Sequence, residues 1–187
     1  MKRFLLLIGI VLIAPTFAAD SDKRSEYRTP QLGWRLIARS DGGRNGSFAK
    51  FKGRVTLSGV LAIGFDRSPE GKSTDEQDTE GDAVFFPDEQ SRSKLPYAVG
   101  NYYPGEVEKI FLYNKPSSLL PGIVGANRST EILHGNMPRY DIQAEITIFE
   151  FTSWVECDHR GYSAKVVNAR SPNGNPVANS DGGIIGC

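Results

Sequence analysis

Residues 51–65 read FKGRVTLSGVLAIGF, and apolar and polar side chains alternate along most of this stretch. The odd positions are apolar or glycine throughout, whereas the even positions begin with Lys52, Arg54, Thr56 and Ser58. Successive side chains of a β-strand point to opposite faces of the sheet, so this alternation predicts a long strand with one buried face. A helix of the same sequence would spread its apolar residues around the whole circumference.

Residues 140–157 form a second run of the same kind. Alternate positions from Tyr140 to Ile148 are apolar, and mostly polar residues stand between them. The pattern then shifts by one residue, because the next large apolar side chains are Phe149 and Phe151. Such a shift predicts either a β-bulge or a segment that is buried on both faces.

Shorter stretches predict the rest of the fold. Further strands are expected over residues 32–39, 83–86, 107–113 and 162–169, with turn-forming clusters between several of them. Asp88 is placed to cap one short helix over residues 88–94. The pattern predicts an all-β chain, folded as a single-domain antiparallel sandwich or partly open barrel with at most one short helix.

The N-terminus has the pattern of a secretory signal. A cationic start is followed by a nearly unbroken apolar run and small residues, which predicts a signal peptide over residues 1–18. An uncleaved anchor is the alternative, but the apolar run is short for a bilayer. We expect a disordered leader over residues 19–30, one β domain over residues 31–187, and a periplasmic or extracellular location with no membrane span after cleavage.

The chain contains two cysteines, Cys157 and Cys187. In an oxidising compartment such a pair predicts one disulfide, which would tether a C-terminal tail rich in Gly, Pro, Asn and Ser. Closing a loop of about 30 residues would stabilise the fold by roughly 3–4 kcal/mol in the chain-entropy model. A free or intermolecular thiol at Cys187 is the alternative.

The charge balance argues against nucleic acid as a partner. The chain has 22 basic and 22 acidic residues. Removal of the signal would take away Lys2 and Arg3 and no acidic residue, which leaves a slightly acidic protein. A chain of this kind has no global electrostatic attraction to nucleic acid or to an anionic membrane.

An acidic stretch gives the one candidate metal site. Glu76, Asp78 and Glu80 alternate before a glycine, as in the first half of a calcium-binding loop. The position that should carry a bidentate glutamate is Pro87 instead, so a solvated acidic loop is the simpler interpretation. We expect no cofactor.

Three tyrosines form the candidate binding residues. Tyr97, Tyr102 and Tyr103 fall within a short stretch that is predicted to be a loop. Tyrosines presented by loops of a β scaffold supply rigid contact area for a protein or for stacking on sugar rings. The alternative is that these side chains close one end of the domain.

No set of residues has the spacing of a known nucleophile, base or zinc site. The sequence therefore favours a non-catalytic, exported domain of the binding or inhibitor type that acts on a protein or a cell-envelope component. A hydrolase of envelope glycans that uses two carboxylates is the alternative, since such residues are adjacent in space rather than in sequence.

Overall fold

A computed structural model describes residues 26–28, 33–40, 47–65, 81–99, 107–135, 139–156 and 159–172. These ranges contain eight strands and three short helices. In chain order the elements are β1 (Glu26–Arg28), β2 (Arg35–Ser40), β3 (Ser47–Gly64), β4 (Asp82–Pro87), α1 (Glu89–Arg92), β5 (Tyr97–Val99), β6 (Ile110–Leu112), α2 (Pro116–Val124), α3 (Ala126–His134), β7 (Arg139–Glu156) and β8 (His159–Arg170).

The two long alternating stretches are the two longest strands. β3 and β7 have 18 residues each and pair in antiparallel orientation along nearly their whole length. Their inward side chains include Phe51, Leu57, Ile63, Ile146 and Phe151, all of which are essentially inaccessible to solvent. The prediction of a largely β fold is confirmed.

The main sheet closes on itself. Neighbouring strands are hydrogen-bonded in the order β3, β4, β6, β8 and β7, and β7 pairs back with β3, while β2 pairs with the first part of β3. The prediction of a purely antiparallel sheet is wrong at one point, because β6 and β8 run parallel. The helices and β7 lie between them in the chain, and this long connection allows the parallel return.

The phase shift in β7 is a bulge. Ile148 and Phe151 are both fully buried although they are an odd number of residues apart. The β7–β8 register shifts twice, between Thr147 and Ile148 and between Ile148 and Glu150. The extra residue, Phe149, restores the inward orientation of Phe151 and reverses the facing of every later side chain in the strand.

The prediction of at most one short helix is wrong, because the described ranges contain three. α1 is the expected one: the carboxylate of Asp88 accepts a 2.7 Å hydrogen bond from the Ser91 backbone N–H. α2 and α3 were not predicted, and they add Leu120 and Ile132 to the same apolar cluster as the strands. None of the helices in the described ranges is long and apolar enough to cross a bilayer.

A small two-stranded ribbon lies beside the main sheet. β1 pairs with β5 in antiparallel orientation, so Glu26–Arg28 forms a strand within the segment that was expected to be a disordered leader. The ring of Tyr27 meets that of Phe51 edge-on at 5.3 Å between centroids. The Tyr27 hydroxyl also accepts a 3.0 Å hydrogen bond from Arg160, which attaches the ribbon to β8.

Candidate binding surface on the outer face of the sheet

Side chains of β3, β7 and β8 alternate between the core and the outer face of the sheet, so the residues on the outer face follow from those in the core. Phe48, Trp154 and Gly161 are register partners on the neighbouring strands β3, β7 and β8. Phe48 is adjacent in β3 to Ala49, which is fully buried, and Trp154 is adjacent in β7 to Ser153, which is also fully buried. Since successive side chains alternate, Phe48 and Trp154 both face outward.

Trp154 lies directly on the backbone of β8. A Cβ atom at Gly161 would overlap three atoms of the Trp154 ring, so the indole occupies the space that a side chain would fill. Covering a strand glycine with a cross-strand aromatic ring stabilises the sheet at that point. Gly161 is thereby buried and Trp154 is half-buried.

Phe111 extends the aromatic surface to β6. Its ring centroid lies 6.3 Å from that of Trp154, with the planes tilted by 43°. The Lys109 ammonium lies 5.3 Å from the Phe111 centroid, at cation–π distance. We call Phe48, Trp154 and Phe111 the aromatic row; it extends across four neighbouring strands, and Phe48 at its end is 40% exposed.

A charged group lies further along the strands on the same face as the aromatic row. One oxygen of Glu150, Oε1, is 2.8 Å from the Lys50 ammonium and 3.3 Å from the Lys165 ammonium. Lys165 is the register partner of Glu150 on β8, and the exposed Lys52 is its register partner on β3. We call Lys50, Lys52 and Lys165 the lysine row.

The environment of Glu150 favours its charged form. The hydrogen bond from Lys50 is the largest cause that lowers the pKa of this carboxyl, and Lys165 acts in the same direction. Partial burial opposes them but does not prevail. Glu150 is therefore a stable anion at neutral pH, and it holds two ammonium groups on one oxygen atom.

Thr152 and Ser163 lie level with Lys50, between the aromatic row and the pair formed by Glu150 and Lys165. Thr152 on β7 is the register partner of both Lys50 and Ser163. The Ser163 hydroxyl donates a 2.9 Å hydrogen bond to the hydroxyl of the exposed Tyr113. These short polar side chains thus lie between the rings and the charged side chains of Glu150 and Lys165.

Of the three predicted binding tyrosines, Tyr97 is the one within the described residues. It lies in strand β5 rather than in a loop, it is half-buried against the core cluster, and its hydroxyl accepts a 3.3 Å hydrogen bond from Arg28. Its role in binding stays a prediction.

The other predicted sites lie outside the described residues. They are Tyr102 and Tyr103, the calcium candidates Glu76, Asp78 and Glu80, and the disulfide partners Cys157 and Cys187. Within the described ranges, no group of three or more His, Cys, Asp or Glu side chains is placed to hold a metal ion.

Comparisons with protein families, with curated proteins and with solved structures gave no match to this chain.

Proposed function

We propose that this chain is an exported, non-catalytic binding domain that holds a cell-envelope glycan against the aromatic row. The observation that carries the proposal is the position of Phe48 and Trp154 in register on neighbouring strands, with Phe111 beside them. Side chains of this type supply large apolar area at a small cost in conformational entropy, and a pyranose ring presents a matching apolar face.

The rigidity of the surface supports the proposal. Trp154 is fixed between the Gly161 backbone and the Phe111 ring, so it needs no reordering when a ligand arrives. A preorganised surface loses less conformational entropy on binding than a mobile loop does. The sheet also holds the rings at fixed spacing, which suits a repeating polymer.

The alternative of a glycan hydrolase has less support at this surface. A general acid in such an enzyme needs a raised pKa, so that it is protonated when the substrate is bound. Glu150, the carboxylate that lies two outward positions along β7 from Trp154, has a lowered pKa instead. Its two lysine partners suit a fixed anion and not a proton donor.

Co-sedimentation of the purified chain with insoluble peptidoglycan tests the proposal. We expect Phe48→Ala to weaken binding about tenfold or more, as loss of a well-packed interface aromatic typically does. Leu36→Ala is the matched control, because Leu36 is 45% exposed and Phe48 is 40% exposed. Leu36 is the register partner of the inward-facing Phe51. Register partners share a face of the sheet, so Leu36 lies on the face opposite to that of Phe48.

Equal losses in both variants, or no loss in either, would remove the aromatic row as the site. Release of soluble sugar fragments during the incubation would instead support the hydrolase.

A further inference from the structure

We infer that the glycan held by this domain is an acidic one, whose carboxylate or phosphate groups are bound by the lysine row. This inference rests on the proposed function, since it concerns the ligand of the same surface.

The first step in the argument is distance along the strand. Phe48, Lys50 and Lys52 are alternate residues of β3, so they lie on one face at a spacing of about 7 Å. The lysine row therefore begins one outward position away from the aromatic row. A polymer whose sugar ring stacks on Phe48 or Trp154 has its ring substituents within reach of Lys50.

The second step is charge. Among the described residues in register here, three ammonium groups share the face with one carboxylate, Glu150, so these charges do not cancel. The side chain of Lys165 is 47% exposed and that of Lys50 is 33% exposed, whereas that of Glu150 is 15% exposed. The positive groups are thus the more accessible ones, and the surface is complementary to an anion.

The third step is geometry. Lys50 and Lys165 come from strands on either side of β7, yet both reach the same oxygen atom of Glu150. An ammonium group has three N–H donors, so each lysine keeps donors for a second acceptor. Charge-assisted hydrogen bonds of this kind are stronger than neutral ones. The two ammonium groups therefore lie close together, and each has N–H donors left for one bridging anionic group.

Calorimetric titration of the purified chain tests the inference. The probes are an oligomer of a hexuronic acid and the same oligomer after its carboxyl groups are reduced to alcohols. We expect the acidic oligomer to bind more tightly, and the double variant Lys50→Gln/Lys165→Gln to lower its affinity about three- to tenfold, as for exposed charge pairs at an interface. Affinity for the reduced oligomer should not change.

Glu150→Gln provides an opposite test. This variant removes the one negative charge of the group, so it should raise affinity for the acidic oligomer and leave the reduced one unaffected. Lys115→Gln/Arg128→Gln is the matched control, because it removes two positive charges in or beside the helices and should have little effect.

Three results would overturn the inference. Equal binding of both oligomers, unaltered by the lysine variants, would leave the proposed function standing and show that the lysines take no part. Polyglutamate serves as a third probe. If it bound tightly and the same lysine variants abolished that binding, the lysines would attract acidic polymers in general rather than a glycan. Failure of both oligomers to bind would contradict the inference and the proposed function together.

Discussion

Gly125 is the single residue that joins α2 to α3. Its φ of 80° and ψ of 161° lie in a region that is essentially restricted to glycine. Apart from its chain neighbours, no described residue has an atom within 4 Å of where a Cβ would be, so the requirement for glycine comes from the backbone conformation rather than from packing. The two helices contribute Leu120 and Ile132 to the core, and Gly125 is the cap that they share.

We therefore expect Gly125→Ala to lower the free energy of unfolding by about 1–3 kcal/mol through backbone strain. Chemical denaturation of the variant and of Asn127→Ala, an exposed change two residues further on, measures the difference. If both variants were as stable as the parent, the helix junction would not need this conformation.

A second prediction at the scale of single residues concerns the contribution of Glu150 to the free energy of unfolding. The direction of its pKa shift decides how this contribution changes with pH. The folded-state pKa of this carboxyl is lowered, so its contribution to stability is fully present above its ordinary pKa. The contribution is lost as pH falls through the lowered value. Because the lysines are partly exposed, we expect it to be at most about 1 kcal/mol.

Glu150→Gln should accordingly be slightly less stable than the parent at neutral pH and equal to it in strong acid. Denaturation curves of both proteins at several pH values measure this convergence. A stability difference that stayed constant across the acid range would show that packing, and not charge, is what the substitution disturbs.

Among the elements, the strands were more predictable than the helices. The alternation of apolar and polar residues is a local signal. It predicted β3 and β7 because each strand has one face in the core and one face outside. α2 reads PSSLLPGIV over residues 116–124, where two prolines and a glycine are typical of a loop. The helix forms because Leu119, Leu120 and Ile123 are buried, and tertiary packing of this kind overrides weak intrinsic propensity.

The candidate surface was less predictable than the strands that carry it. The outward facing of Trp154 depends on the bulge at Phe149, which reverses the alternation in the second half of β7. The apposition of Phe48 and Trp154 depends on the register between two strands that are about 100 residues apart in the chain. The phase shift within β7 is visible in the sequence, but the register between β3 and β7 is not.

At the scale of the whole molecule, one apolar cluster of the described residues joins the inner face of the closed sheet to the helices. The predicted disulfide would add a covalent tether between Cys157, which follows β7 in the chain, and Cys187. We expect Cys157→Ser to cost roughly 3–4 kcal/mol of unfolding free energy in protein from an oxidising compartment.

Cys187→Ser should cost the same, and the double variant should cost no more than either single one, because all three lack the same bond. Reduced parent protein should match them. Additive losses in denaturation experiments would mean that the two cysteines act independently and are not paired.

The most direct test of the central claim is to observe Trp154 while a glycan is added. The chain has two tryptophans, and their environments differ: Trp34 is buried with its indole N–H bonded to the Lys94 carbonyl at 2.8 Å, whereas Trp154 lies on the outer face. In ¹H–¹⁵N spectra they give two indole N–H signals, which Trp34→Phe assigns. Titration with soluble peptidoglycan fragments should shift the Trp154 signal in a saturable way and leave the Trp34 signal in place. A Trp154 signal that stays fixed at saturating glycan would contradict the account.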